Sequence, residues 1–80
     1  MFDVNRLLDK AINETDNLND GEVFLAKDLY KGYLWKRIPR RTRLLLGTLF
    51  LNYVQKVNGT IKPIEKTSSN QQRYQKTSNL

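Results

Sequence analysis

Residues 39–57 read PRRTRLLLGTLFLNYVQKV and carry the longest helical pattern of the 80-residue chain. At 100° per residue, apolar side chains gather on one broad face of this segment and polar side chains gather roughly opposite. The apolar face comprises Leu46, Leu49, Phe50, Tyr53, Val54 and Val57. Pro39 suits the first helical position, where its missing N–H is not needed. We therefore predict a helix over residues 39–57 with this face on the core.

A cluster of cations marks the predicted start of this helix, because five of the eight residues 36–43 are basic. The five are Lys36, Arg37, Arg40, Arg41 and Arg43. An arginine fork binds a phosphate or a guanine edge through two parallel hydrogen bonds, and a helix N-terminus adds unpaired amides. The cluster predicts a nucleic-acid contact, and the plainer alternative is a solvated basic patch.

Charge is divided unevenly along the chain. Residues 1–30 hold seven acids and three bases, a net charge of −4, whereas residues 31–80 hold eleven bases and one acid, a net charge of +10. A surface of one sign attracts a polyanion, so this asymmetry favours nucleic acid as the partner.

The first half of the chain predicts three smaller elements. An apolar stripe at Val4, Leu7, Leu8, Ala11 and Ile12 indicates an amphipathic helix that is capped by Asp3 and runs to about residue 15. Residues 22–25 predict one short strand, and residues 26–31 predict a short helix that Gly32 ends as its C-cap. Residues 33–38 are then expected to form a turn.

The last segment predicts a hairpin around the Ser- and Asn-rich residues 67–70. Pro63 cannot donate a ladder hydrogen bond, so the first strand is expected at the sheet edge. The alternative is a disordered tail, since apolar residues are scarce from Thr67 onward. We therefore predict one domain over residues 1–66, with residues 67–80 as either a second strand or a flexible tail.

This order of elements predicts an α+β fold, mainly helical with a small hairpin, of the winged helix-turn-helix type. In that fold the second helix of the pair enters the major groove, and the hairpin forms the wing. The predicted contacts beyond the helix start are Thr48 and Asn52 on the long helix, and Lys62, Lys66, Arg73 and Lys76 on the wing. Tyr33 and Tyr74 are the candidates for base stacking, whereas Tyr30 and Trp35 are expected to close the core.

Several short blocks of the sequence resemble a known family: GEVF at 21–24, KDLYKGY at 27–33, WKRIP at 35–39, and the Arg43-Leu44, Leu46-Gly47 and Leu49-Phe50 pairs. They resemble domain-of-unknown-function family 1413, small proteins of phages, plasmids and cassette-chromosome elements in Gram-positive bacteria. The likeness covers roughly residues 4–57. It implies a winged helix-turn-helix fold and binding of single-stranded DNA near replication proteins, but it carries over no individual contact residue.

The composition argues against an enzyme. With no cysteine and no histidine, the chain lacks disulfides and the usual zinc and imidazole chemistry, and its basic half holds the single acid Glu65. We expect no catalytic residues, no metal and no cofactor. The longest nearly apolar run, residues 44–51, is far shorter than the roughly 20 residues of a membrane span, and we expect a cytoplasmic protein.

Two other functions remain open at this stage. A dimeric transcription regulator could read duplex DNA through Arg41, Thr48 and Asn52, with Leu44 and Leu51 supplying a homodimer contact. A protein-interaction module could instead dock its basic face on an acidic partner. Binding of single-stranded DNA with little sequence preference, in replication or transfer of a mobile element, is the main prediction.

Overall fold

Helices and short strands follow one another along the chain. The structure is a computed structural model that describes residues 3–56 and 59–77. The elements are α1 (Val4–Glu14), β1 (Val23–Leu25), α2 (Gly32–Arg37), α3 (Arg40–Lys56), β2 (Ile61–Ile64) and β3 (Arg73–Lys76). Two 3₁₀ helices, Thr15–Asn17 and Ala26–Leu29, link them. The predicted α+β class is confirmed.

Helix α1 follows its sequence pattern. The Asp3 carboxylate accepts a hydrogen bond from the Asn5 N–H at 2.9 Å, which caps the first turn. Leu7 and Ala11 are buried on the core side, and α1 ends at Glu14, one residue before the predicted end, where the 3₁₀ helix Thr15–Asn17 begins. The predicted helix and its cap are both confirmed.

The segment between β1 and α3 differs from its prediction. The chain turns through the 3₁₀ helix Ala26–Leu29, which starts where the Leu25 N–H donates to the Asp28 carboxylate at 2.9 Å. Tyr30 is then extended, and Gly32 begins α2 instead of ending a helix. Leu29 at the end of the 3₁₀ helix and the extended Tyr30 after it are both buried in the core. A short helix is therefore present where one was predicted, but it is a 3₁₀ helix that ends at Leu29, and the predicted C-cap at Gly32 and turn over 33–38 were wrong.

Helix α3 begins at Arg40, one residue later than predicted, and the Pro39 carbonyl accepts its first hydrogen bond from the Arg43 N–H at 2.9 Å. Leu46, Phe50 and Val54 are buried, so the predicted core face is confirmed for them. Val57 lies outside the described residues. Within residues 3–56 and 59–77, no helix combines the length and the apolar character that crossing a membrane requires.

The three strands form one antiparallel sheet in the order β1-β3-β2. β3 therefore lies between the other two, with Tyr74 opposite Phe24 on one side and opposite Pro63 on the other. Pro63 is on the edge strand β2, as predicted, where its missing N–H disturbs no second neighbour. Of the two alternatives for residues 67–80, the structure has the strand over Arg73–Lys76.

The core forms where the helices cover this sheet. Tyr74 packs on Phe24 with ring centroids 5.7 Å apart, and it meets the edge of Phe50 at 5.0 Å and 87°. Tyr30 stacks on Trp35 at 5.6 Å and donates its hydroxyl to the Leu7 carbonyl at 2.6 Å. Tyr30 and Trp35 thus close the core, as predicted.

Candidate nucleic-acid interface

The junction between α2 and α3 presents four of the five clustered cations to solvent. Lys36 and Arg37 occupy the last turn of α2, and Arg40 and Arg41 occupy the first turn of α3; all four are exposed. Between them the side chain of Ile38 is 1% exposed, and it anchors the junction in the core. The buried Ile38 fixes the position of the junction between α2 and α3, and the four cations remain exposed around it.

Arg43 has a different environment from its four neighbours. Its Nε donates to the Ile38 carbonyl at 2.8 Å, and a second guanidinium nitrogen donates to the Lys36 carbonyl at 3.4 Å. Its guanidinium carbon lies 5.5 Å from the centre of the Trp35 ring. Arg43 therefore ties the end of α2 to α3, and its charge is held in one place.

Tyr33 is exposed on α2, with 53% of its surface accessible. The guanidinium of Arg37 lies over its ring, 5.2 Å from the centre. An exposed aromatic ring beside a cation is the pairing on which nucleobases stack in single-strand binding proteins. The structure thus leaves Tyr33 available for the stacking role that the sequence predicted.

The hairpin cations divide into two pairs. Lys62 and Lys66 are exposed, whereas Lys76 donates its ammonium to the Thr15 carbonyl at 2.7 Å. Arg73 donates to the Glu65 carbonyl at 3.0 Å and lies 3.5 Å from the Glu65 carboxylate. Lys62 and Lys66 are therefore the wing cations with free charge in the described structure, and Arg73 and Lys76 bind within the fold.

The prediction for Tyr74 needs correction. Its side chain is 2% exposed because it is on the central strand with its ring between Phe24 and Phe50, so no base can stack on it. Burial raises the pKa of Tyr74 to about 12, since ionisation would leave a phenolate in an apolar site. The same burial raises the pKa of Tyr30 to about 12.

The outer surface of α3 is mixed in character. Thr48 and Asn52 are exposed, as a contact role requires, and the Thr48 hydroxyl donates to the Leu44 carbonyl at 3.2 Å. Leu44 is 64% exposed, whereas Leu51 is half-buried and packs against the core. Of the two residues predicted to supply a homodimer contact, Leu44 is therefore exposed and Leu51 is not.

A groove of about 410 Å³ separates α3 from the turn between β2 and β3, and sequence reasoning did not anticipate it. Trp35, Leu44 and Leu51 give it apolar walls, Gly47 leaves room on the helix side, and residues 70–72 supply side-chain amides. Its cationic lining residues are Lys27, Arg43 and Lys66. None of the described lining residues is acidic. A glycine inside an otherwise apolar helical face was the available sequence signal.

The turn that borders this groove is closed by its own hydrogen bonds. The Asn70 N–H donates to the Thr67 carbonyl at 2.9 Å, and the Thr67 N–H donates to the Gln71 carbonyl at 2.8 Å. Asn70 adopts a φ of 67°, a left-handed conformation that asparagine tolerates better than most residues. The Gln72 amide also donates to the Ile64 carbonyl, which ties the turn to β2. The groove wall is thus held in place by the hairpin.

Comparison with known proteins gave one family assignment. Residues 9–76 match the model of a family described as a domain of unknown function (DUF1413). No curated protein and no solved structure gave a significant match. In the part of the chain that the structure describes, no three carboxylates come together in a group that could hold a metal ion.

Proposed function

The chain belongs to the DUF1413 family, and from its charged surface we propose that it binds single-stranded DNA with little sequence preference. The bound strand follows the start of α3 and the hairpin. The protein acts without catalysis, as an accessory in replication or transfer of a mobile genetic element, the setting that its sequence resemblance implies.

The observation that carries this proposal is a set of exposed cations without carboxylate partners. The set comprises Lys36, Arg37, Arg40, Arg41, Lys62 and Lys66. The ion pair found within residues 3–56 and 59–77 joins Arg73 to Glu65 and includes none of them. Phosphates that meet such cations release condensed counterions, which drives binding to a nucleic-acid backbone without reading its sequence.

The arrangement of elements supports a winged helix-turn-helix assignment. α2 and α3 are joined by the two-residue connection Ile38-Pro39, and β1 pairs with β3 instead of with its neighbour in sequence. In this assignment α3 is the recognition helix and the β2–β3 hairpin is the wing. The cations of both elements then serve one binding surface.

Tyr33 favours a single strand over a duplex. Its exposed ring, with Arg37 over one face, offers a stacking platform for a base that no complementary strand covers. Each base stacked on an aromatic side chain contributes about 1–3 kcal/mol to binding in such proteins, and all four bases can stack. Duplex DNA keeps its bases stacked inside and gains nothing from Tyr33.

Fluorescence anisotropy with labelled oligonucleotides over a salt series tests the proposal. We expect tighter binding of the single strand than of its duplex, with log affinity falling against log salt at a slope near −4 if about six phosphates are contacted. Micromolar binding of the duplex without binding of the single strand would contradict the single-strand proposal. Absence of any binding at low salt would contradict nucleic-acid binding altogether.

Matched double variants locate the surface. R40A/R41A removes two exposed cations from α3, and R6A/K10A removes two exposed cations from α1, so both lower the net charge equally. We expect R40A/R41A to weaken single-strand binding at least about fivefold and to reduce the salt slope by about 1.4, the share of two phosphates. R6A/K10A should bind nearly as the unmodified chain does, and equal losses in both variants would mean that net charge alone attracts DNA.

The exposed residues of α3 favour a second candidate function, that of a dimeric regulator that binds duplex DNA. Arg41, Thr48 and Asn52 are all exposed on α3, and the neighbouring Leu44 and Leu45 are 64% and 48% exposed. Protection of half-sites one helical turn apart in a footprint, together with a dimer in sedimentation, would favour this candidate.

A further inference from the structure

We propose that the groove between α3 and the β2–β3 turn receives one unstacked nucleobase of the bound strand, with its flanking phosphates at the cations on the groove margin. This inference rests on the proposed single-strand binding and names the part of the strand that enters the fold.

The size and lining of the groove fit a nucleobase. At about 410 Å³ it falls at the lower end of the range of small-molecule pockets, about 300–1,000 Å³. A base has two apolar faces and a polar edge, and the groove pairs the apolar Trp35 and Leu51 with the amide side chains of Asn70 and Gln71. Amides both donate and accept hydrogen bonds, so they can meet the edge of any base.

The charge of the groove fits the flanking phosphates. Lys27, Arg43 and Lys66 reach it from three separate parts of the chain, and none of the described residues that line it is acidic. Arg43 is half-buried and is held by two backbone carbonyls and the Trp35 ring, with no carboxylate in contact among the described residues. A cation that is fixed and not neutralised favours an anionic ligand and loses little side-chain freedom on binding.

Gly47 keeps the groove open. A Cβ at this position meets no atom within 4 Å, so the first atom of a side chain there has open space where Gly47 lines the groove. Glycine in a helix interior costs stability relative to alanine, so a larger side chain gives a helix that is at least as stable. Gly47→Leu therefore fills the proposed base site and leaves every cation in place.

Trp35 supplies the reporter, because it is the one tryptophan of the chain and it lines the groove. The test is a titration of the full chain with oligodeoxythymidine and, separately, with an abasic strand of equal length and charge. A base in the groove is expected to quench Trp35 fluorescence with the thymidine strand, whereas the abasic strand should leave it unchanged. Equal quenching by both strands overturns the inference, and this comparison needs no variant.

The Gly47→Leu variant gives an independent test. We expect it to retain its thermal midpoint, to lose the Trp35 quenching, and to bind the thymidine strand at least about fivefold more weakly. Gly47→Ala adds one methyl group and should keep most of the affinity. Asn13→Leu also introduces an exposed leucine, but on α1 away from the groove, and should bind normally.

The outcomes separate the two proposals. If the unmodified chain binds single strands and Gly47→Leu binds them with equal affinity and quenching, the base site is wrong and the single-strand proposal stands. If the unmodified chain binds no single strand at low salt, both proposals fall.

Discussion

Arg43 and its neighbours Arg40 and Arg41 are equivalent in the sequence but have different roles in the structure. The guanidinium of Arg43 is shared between the Ile38 and Lys36 carbonyls and the Trp35 ring, whereas the other two arginines are exposed. Replacing Arg43 would therefore remove fold contacts along with any contact to DNA. A variant meant to test binding alone should leave Arg43 in place.

Burial of Tyr30 and Tyr74 makes the free energy of unfolding depend on pH in the alkaline range. Burial raises the pKa of each phenol from 10.0 to about 12, so between these values the unfolded chain ionises while the folded chain keeps both protons. The stabilisation that comes from burying each phenol in its neutral form is fully present below about pH 10. It is lost as the pH rises toward 12, by at most about 1.4 kcal/mol per pH unit for each phenol. Urea unfolding over this pH range measures the loss.

The Tyr30→Phe variant is the control for this pH dependence. It removes one ionisable phenol and the hydrogen bond to the Leu7 carbonyl, so it should be less stable near neutral pH by about 1 kcal/mol and should lose stability less steeply above pH 10. An unfolding free energy that stays constant from about pH 9 to 12 would contradict the burial of both phenols.

At the scale of elements, α3 contains a position where its stability can be raised. Gly47 is inside the helix with open space at its Cβ, so Gly47→Ala should raise the free energy of unfolding by about 0.5–1 kcal/mol. In a domain of this size that corresponds to a rise of roughly 2–8 °C in the thermal midpoint.

Gly21→Ala is the contrasting variant. Its Cβ also meets nothing within 4 Å, but its φ of +86° is a backbone conformation that side-chain-bearing residues rarely adopt. This variant should lower the free energy of unfolding by about 1–2 kcal/mol. Thermal unfolding followed by circular dichroism measures both variants, and changes of the same sign would contradict this account of the two glycines.

Elements with a long apolar repeat could be predicted from the sequence, and the short segment over residues 26–37 could not. The stripe of α1 and the core face of α3 each repeat over several turns, so local pattern and tertiary packing agree there. In residues 26–37 the chain forms a 3₁₀ helix, an extended Tyr30 and a second helix that begins at Gly32, against the local preference for one helix with a glycine C-cap. The contacts that bury Leu29 and Tyr30 come from segments distant in sequence, such as the Leu7 carbonyl that accepts the Tyr30 hydroxyl, and no local pattern records them.

For the whole molecule, the last strand occupies the centre of the sheet. β3 pairs with both β1 and β2, and it places Tyr74 between Phe24 and Phe50. A chain that ends at Lys66 lacks this strand and exposes both phenylalanines. We expect it to lose cooperative thermal unfolding, because a small domain has no reserve of buried surface.

Circular dichroism and calorimetry of the chain that ends at Lys66 test this expectation. The matched control is Tyr74→Phe in the full-length chain, which keeps the ring between its neighbours and should unfold cooperatively. A sharp thermal transition in the shortened chain would show that residues 1–66 fold without β3, as the boundary predicted from the sequence implies.

The candidate site could be predicted from the sequence only in part. Exposure of Lys36, Arg37, Arg40 and Arg41 follows from a dense run of cations, which cannot all be buried. Burial of Tyr74 does not follow, because a lone aromatic residue in a polar segment gives no local sign of the partners that it meets across the sheet. The groove is likewise formed by segments distant in sequence, with Lys27 and Lys66 both among its lining residues.

The sequence by itself determined the charge asymmetry and the helices α1 and α3, because each depends on residue type and short-range periodicity, and it left a hairpin with Pro63 at its edge as one of two alternatives. Only the tertiary structure decided that β3 is the central strand, that Tyr74 is core, that Arg43 is held within the fold, and that a groove opens beside Gly47. Each of these depends on contacts between segments far apart in the chain, and the free energy of such contacts is absent from any local pattern.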